Sequence, residues 1–435
     1  MTPFGLLVRE IAPYGLLSLG DQLVTYQCHH HSLFLDQTVS DALGGEGWAV
    51  RRQAAFEASH AMLSSFYAEL GVVEPDERIE LAGELFAAMG QGRLVFEITA
   101  EGGTVRAHDL HHGASFRDKY EGRVKNRRPV DTFAAGFVSA AASLAFPSDW
   151  GTLEADEVAC VARRDELCVF ALTRRPERPR FGVVVTRPLV ERLPHGGPGA
   201  APRPTPASAR ASAELARMLH GAPLSQAGAP GAPGAGEEEG APFRAFGVRL
   251  AMVPVSYQNQ ITYDTVHLVE KRSPELFPIV ATLVREAAQM GAFHQLGGVL
   301  ASPLWQGEQG PPAREPEVRV EQLLGLARGF GWGSFEVEDL VLGRTLVLKS
   351  LMTHESAYHA ARHGAATRAR LFFQQGLALA LMHLLESVDF SAKQPLAEDT
   401  YEALFRAGPR FEVHETRSPL RGDATCEVSV GLIET

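Results

Sequence analysis

The sequence predicts an α+β fold: two tandem units, each an antiparallel sheet packed on helices, that associate as an intramolecular pseudo-dimer. Three observations lead there. The first half passes from helix-spaced to strand-spaced segments and back; the second half repeats its landmarks in the same order; and a Pro/Gly/Ala-rich stretch over 193–243 divides them. At 435 residues and 45% apolar, the chain has material for more than one core and too much apolar content for a mostly unfolded protein.

The first unit is expected over 14–173. Phe56, Leu63, Tyr67 and Leu70 fall at helical spacing within Trp48–Leu70, and Asp76–Met89 reads as a second amphipathic helix ended by Gly90. Arg93–Thr99 and Thr104–Leu110 flank Ala-Glu-Gly-Gly and read as a β-hairpin. The small residues Ala134, Ala135, Ala140, Ala141 and Ala142 make Phe133–Leu144 a helix that other backbone can approach closely. Thr152–Val158 and Leu167–Thr173 then read as a strand pair closing over it. Within 193–243, ASAELARMLHG reads as a short helix in a linker otherwise expected to be unfolded.

The second unit is expected over 246–434, and four matches define it. Val24-Thr25-Tyr26-Gln27 is matched by Val255-Ser256-Tyr257-Gln258. Gly90-Gln91-Gly92 and Thr104 are matched by Gly331-Trp332-Gly333 and Thr345, a shift of 345 − 104 = 241. Phe133-Ala134-Ala135-Gly136 is matched by Phe373-Gln374-Gln375-Gly376, and Glu157 and Cys168 by Glu415 and Cys426, both 258 apart. A tandem copy also supplies its partner at high effective concentration, which is why the halves are expected to pair.

Several function classes are disfavoured. A net charge of −11 with no Lys/Arg-rich cluster argues against a nucleic-acid partner. The nearest approach to a membrane span, Phe133–Phe146, is too short to cross a bilayer, and the amino terminus lacks a signal-peptide layout, so a cytoplasmic protein is expected. No phosphate-binding glycine loop, dinucleotide fingerprint, G-x-S-x-G elbow or H-E-x-x-H helix is present. Four cysteines in so long a chain read as reduced thiols.

The densest chemistry is Glu157-Val-Ala-Cys160 followed by Cys168, a carboxylate and two thiols across a strand, turn and strand. Glu157 and Cys160 do not share a face of a regular strand, so a bulge or turn must bring them together. This donor set suits one Zn²⁺ in the first unit, with a fourth ligand among Cys28, His30, His111 and His112. The competing reading is a pair of small buried thiols beside a solvated glutamate. The second unit keeps Glu415 and Cys426 but has Ser418 in place of the first cysteine, so no site is expected there. Cys28-His29-His30-His31 offers a metal site or a Cys–His nucleophile pair, against a reading as polar residues at a strand–helix junction. His112, in Asp109-Leu-His-His-Gly-Ala-Ser115, is a candidate ligand contact, with helix capping by Ser115 as the alternative.

The run Pro129-Val-Asp-Thr-Phe-Ala-Ala-Gly-Phe137, then Glu157, Cys160 and Cys168 ahead of Val169-Phe170, resembles the 4-vinyl reductase domain, also called the hydrocarbon-binding domain. The Cys28 cluster and the hairpin leading to His112 resemble the upstream part of stand-alone bacterial members. The resemblance implies that Glu157, Cys160 and Cys168 ligate zinc, and that the chain binds or senses a hydrophobic small molecule and acts through a partner protein. The cysteine that aromatic-responsive sensors of this family carry upstream of the glycine-containing helix is missing around Asn126–Arg128. Two alternatives stand beside it: an enzyme using Cys28, His112 or an open metal site, and an interaction scaffold resembling subunits of vesicle-tethering complexes.

Overall fold

A computed structural model of the chain describes residues 8–120, 128–149, 151–176, 204–220, 243–390 and 396–433. The first half opens on strands β1 (Val8–Ile11), β2 (Leu16–Leu19) and β3 (Gln22–Cys28). Helices α1 (His29–Leu43), α2 (Gly45–Leu70) and α3 (Pro75–Ala88) follow, then the hairpin β4 (Val95–Thr99) and β5 (Gly102–Ala107). Helices α4 (His111–Tyr120) and α5 (Thr132–Ala145) lead to the strand pair β6 (Thr152–Ala159) and β7 (Cys168–Arg175). After α6 (Pro206–His220), the second half runs β8 (Arg244–Ala245), β9 (Val248–Pro254), α7 (Val255–Arg272), α8 (Phe277–Ala301), α9 (Pro303–Gln309) and α10 (Pro316–Gly329). It ends with β10 (Glu336–Val341), β11 (Thr345–Ser350), α11 (His354–His363), α12 (Phe372–Glu386), α13 (Glu398–Ala407), β12 (Phe411–Arg417) and β13 (Cys426–Leu432).

The fold is α+β, with three antiparallel sheets. Two four-stranded sheets have the same strand order, β4-β5-β7-β6 and β10-β11-β13-β12, and each covers one apolar helix, α5 or α12. Helix α5 is anchored to its sheet by hydroxyls as well as apolar contact. Ser139 Oγ accepts the Ala155 N–H at 2.9 Å and Ser143 Oγ accepts the Leu153 N–H at 3.1 Å, so strand β6, at the sheet edge, does not leave these donors unpaired.

The third sheet, β1-β2-β3-β9-β8, draws strands from both halves, and every residue of β3 and β9 is buried. Tyr26 lies opposite Met252 and Gln27 opposite Ala251. Helices α1 and α7 begin at residues 29 and 255, and 255 − 29 equals 252 − 26, so equivalent positions meet at the centre of the seam. The contacts flanking it are reciprocal. The Tyr26 N–H donates to the Phe330 carbonyl at 3.0 Å and the Met252 N–H to the Met89 carbonyl at 2.7 Å. Both carbonyls precede a glycine with positive φ, Gly331 (78°) and Gly90 (72°); a Cβ there would lie 2.9 Å from the Val24 oxygen or 2.8 Å from the Leu250 oxygen. Glycine therefore meets a turn and a close approach at once.

One expectation changes. Val24–Gln27 lies in strand β3, whereas Val255–Gln258 opens helix α7, so that sequence match joins non-equivalent elements; β3 corresponds to β9. The short linker helix exists as α6 and is packed, with Leu215 and Leu219 buried and Gly325 and Gly329 of α10 admitting its backbone; the rest of 193–243 lies outside the described residues apart from 204–205 and Phe243. Among the described residues no helix is long and apolar enough to cross a membrane.

Helices α2 and α5 cross at Gly136, and α8 and α12 cross at Gly376. A Cβ on Gly136 would sit 2.6 Å from the Phe56 nitrogen, and one on Gly376 2.7 Å from the Gln289 nitrogen. Backbone cannot step aside as a flexible side chain can. Gly136→Ala is therefore expected to lower stability by ~1–3 kcal/mol through overpacking, although alanine has the higher helix propensity. Denaturant unfolding checks it, and a stabilised variant would contradict the close crossing.

Candidate metal centre

The β6–β7 connection sets the site. Glu157 pairs with Phe170 and Ala159 with Val169, so the register shifts across Val158, which is exposed. This is the irregularity that the Glu157–Cys160 spacing requires. Beyond it, the Cys160 N–H donates to Asp165 Oδ2 at 2.7 Å and the Arg163 N–H to the Cys160 carbonyl at 2.8 Å, winding a 3₁₀ turn over Val161–Arg163. Strand β7 starts at Cys168, whose sulfur accepts the Val161 N–H at 3.4 Å.

The fourth donor was not among the sequence candidates: it is Asp131. Its position at the N-cap of α5 reads from sequence as an ordinary capping aspartate, but its side chain makes no capping bond to that helix. Instead Oδ1 accepts the Gly113 N–H at 2.8 Å, while Oδ2 lies 3.6 Å from Cys160 Sγ and 3.3 Å from Cys168 Sγ. The Asp131 N–H donates to Glu157 Oε2 at 3.0 Å, leaving Glu157 Oε1 buried with no hydrogen-bond partner. One donor atom from each of Asp131, Glu157, Cys160 and Cys168 lies within 4.8 Å of all the others, and all four residues are buried.

Four acidic groups so confined cannot all ionise without a cation. Burial, then the Asp131 carboxylate and Cys160, push the Glu157 carboxyl well above the usual carboxylate range. Their shared hydrogen bond lowers the Cys160 thiol and raises Cys168. Nature of donors and crowding of charge both suit a divalent ion.

Cys28, His30, His111 and His112 stand outside this group. Cys28 ends β3, its thiol 3.5 Å from the Gly291 carbonyl and pushed up to about 11 by burial. His29–His31 form the first turn of α1 rather than strand residues, and the His30 ring stacks on His294 at 3.9 Å. His112 Nδ1 is 3.2 Å from Asp36 Oδ2, which also meets Arg51 at 3.1 Å. Its Nε2, both nitrogens of His111 and the Ser115 hydroxyl are buried with no hydrogen-bond partner.

The second half keeps the frame with only two of the four donors, Glu415 and Cys426. Ser418 N–H donates to Asp423 Oδ2 at 2.8 Å, and Glu415 Oε2 accepts the Arg370 and Leu371 N–H groups at 2.7 and 2.8 Å. The register shift recurs between Glu415 and Arg417. Leu371, the N-cap of α12, occupies the Asp131 position, and a single thiol, Cys426, remains. The glutamate's backbone-binding role is thus separable from any role at a metal.

Buried imidazoles dominate the remaining electrostatics. Burial pushes His29 and His354 down to about 3, and His31, His294 and His383 down to about 4. The unfolded chain takes up these protons near pH 6.5, whereas the folded protein does so only far lower. Their contribution to stability is present above pH 6.5 and lost as pH falls. Each contributes a slope of up to ~1.4 kcal/mol per pH unit in that window, so steep acid unfolding is expected between about pH 6.5 and 4. A stability profile flat from pH 7 to 5 would contradict it.

The fold and site define an α+β chain with a buried two-thiol, two-carboxylate cluster at one of two equivalent turns. No family model matches the chain, and no curated protein does. Among solved structures it is similar to the phenol-responsive sensory domain of the transcription activator PoxR with phenol, at a TM-score of 0.33 and 18% identity, over 39% of this chain and 86% of that one.

Proposed function

We propose that the chain is a small-molecule-binding module of sensing type, in which a structural Zn²⁺ on Asp131, Glu157, Cys160 and Cys168 fixes the β6–β7 turn to the starts of α4 and α5. The four mutually close buried donors carry the metal part of this reading. Zn–S bonds of ~2.3 Å and Zn–O bonds of ~2.0 Å give a tetrahedral S–O edge of about 3.5 Å, against the observed 3.6 and 3.3 Å. The hydrocarbon-binding resemblance implies three of these ligands, Glu157, Cys160 and Cys168. With no donor position left for substrate, the ion's part is structural.

The ligand is a small hydrophobic molecule bearing a polar group. Buried polar atoms without protein partners call for water or ligand, and His112 Nε2 is such an atom on an imidazole held by Asp36. The core beside α5 is aromatic, with Phe86–Phe137 centroids 4.8 Å and Phe133–Tyr257 centroids 4.9 Å apart. The raised Cys28 thiol argues against a nucleophile there. The second half acts as a built-in partner, the two units forming a pseudo-dimer across β3 and β9; the reciprocal Tyr26 and Met252 hydrogen bonds support this, since a twofold interface repeats each contact. Any signal passes to another protein.

The test is calorimetric titration of the zinc-loaded chain with a panel of single-ring aromatics, with and without a hydroxyl. Hydroxylated members are expected to bind, and His112→Phe to weaken them at least tenfold while sparing unsubstituted rings. Absence of binding across the panel would remove the sensing reading and leave a metal-stabilised scaffold.

A further inference from the structure

A second cluster of potential ligands lies in the other half, in residues no feature of the first site involves. His359 and His363, four apart on α11, share a helix face, and His267 faces them from α7, which packs against α11. The ring centroids are 4.4 Å apart for His267–His363, 5.1 Å for His359–His363 and 5.7 Å for His267–His359. In all three, Nε2 is buried and has no hydrogen-bond partner.

The opposite nitrogens explain why these are candidate donors rather than packed rings. His359 Nδ1 is 3.1 Å from the Gly364 carbonyl, which fixes the Nδ1–H tautomer and leaves the Nε2 lone pair free. His267 Nδ1 is 3.9 Å from Glu270 Oε2, beyond hydrogen-bond distance, so this support is shown for His359 alone. A backbone carbonyl or carboxylate behind an imidazole is the usual support of a metal-bound histidine. Burial pushes His359 down to about 4 and His363 down to about 3, so the rings are neutral at pH 7, as coordination requires. The nearby guanidiniums are paired: Arg370 and Arg368 with Glu270 at 2.7 and 3.4 Å, and Arg362 with Asp264 at 3.6 Å.

From this geometry we propose a second metal site, specific to the second half, in which His267, His359 and His363 bind a late first-row divalent ion through Nε2. Imidazole donors suit Zn²⁺, Cu²⁺, Ni²⁺ and Co²⁺. Three protein donors leave a four-coordinate ion one position for water or an exogenous ligand. Among the described residues only the Asp131 group already has its donor atoms all within 4.8 Å of one another. Here the rings of His267 and His363 must turn about Cβ–Cγ, a soft torsion, to converge on the held His359 ring. The first half has no counterpart: the shift of 354 − 111 = 243 between α4 and α11 puts Phe116 and Tyr120 where His359 and His363 stand.

Cobalt distinguishes the two centres. The full-length protein, holding one equivalent of Zn²⁺ per chain so that only the thiolate site is filled, is titrated with Co²⁺ while visible and near-ultraviolet absorption and bound metal are followed. One further equivalent is expected, with d–d bands but without the intense sulfur-to-cobalt charge transfer that exchange into the Cys160/Cys168 site would give. His363→Ala, at a half-buried position, should weaken that equivalent at least tenfold with the thermal transition unchanged, and His359→Gln should do the same. If no sulfur-free equivalent binds, or if it survives both substitutions, the second site does not exist; either result leaves the zinc reading of the first site untouched.

Discussion

Protein purified without chelator is expected to hold one equivalent of thiolate-bound zinc, and Cys168→Ala or Cys160→Ser to reduce that equivalent below about a tenth. The second substitution recreates in the first half what Ser418 makes of the second. Removing a thiolate releases the ion and leaves Asp131 and Glu157 facing each other without a countercharge. Structural zinc supplies folding free energy directly, so the expected loss is several kcal/mol. At ~2–4 °C per kcal/mol, that is a fall in Tm of at least about 5 °C. Chelation of the wild type should reproduce the shift, and Glu157→Gln should lose metal affinity while still able to accept the Asp131 N–H. The converse change is the stricter test: Leu371→Asp with Ser418→Cys, beside the existing Glu415 and Cys426, should add a second thiolate-bound equivalent. Wild-type protein without stoichiometric metal, or Cys160→Ser with unchanged content and stability, would overturn the site.

Trp332→Ala should lower stability by ~3–5 kcal/mol and do so for both halves together. Trp332 is fully buried, its indole N–H donates to the Tyr26 carbonyl at 2.9 Å, and its ring meets Phe373 at 5.3 Å. The side chain belongs to the second half, but its hydrogen-bond partner is on β3 of the first. Because β3 and β9 share one sheet and the largest core cluster runs through both halves, calorimetry should show one transition displaced as a unit. Amide exchange of Tyr26 should accelerate with it. Two transitions, of which only one moves, would show that the halves fold independently and remove the pseudo-dimer.

Local patterns carried much of this. The amphipathic helices, the hairpin around Gly102 and Gly103 and the closing strand pair were legible because each depends on spacing within a single segment. The bulge at Val158 followed from two inward-facing residues placed three apart. The match of Val24–Gln27 with Val255–Gln258 misled because four similar residues fit a buried strand and a buried helix start equally well. Asp131 was unreadable as a donor for a related reason: before an apolar helix, an aspartate has an ordinary capping explanation.

The sequence by itself determined the α+β class, the repeated order of elements, and the register of Glu157, Cys160 and Cys168, since these follow from chemistry that neighbours along the chain impose. Tertiary structure alone decided which residues share a centre. Asp131 is separated from Cys168 by 37 positions and joins it because α5 starts under the β6–β7 turn. The pairing of Tyr26 with Met252 spans 226 positions and exists because two sheet edges close on each other. His267 meets His363 only where α7 packs on α11. Backbone periodicity records which face of an element is buried, but what that face meets is fixed by how the elements pack.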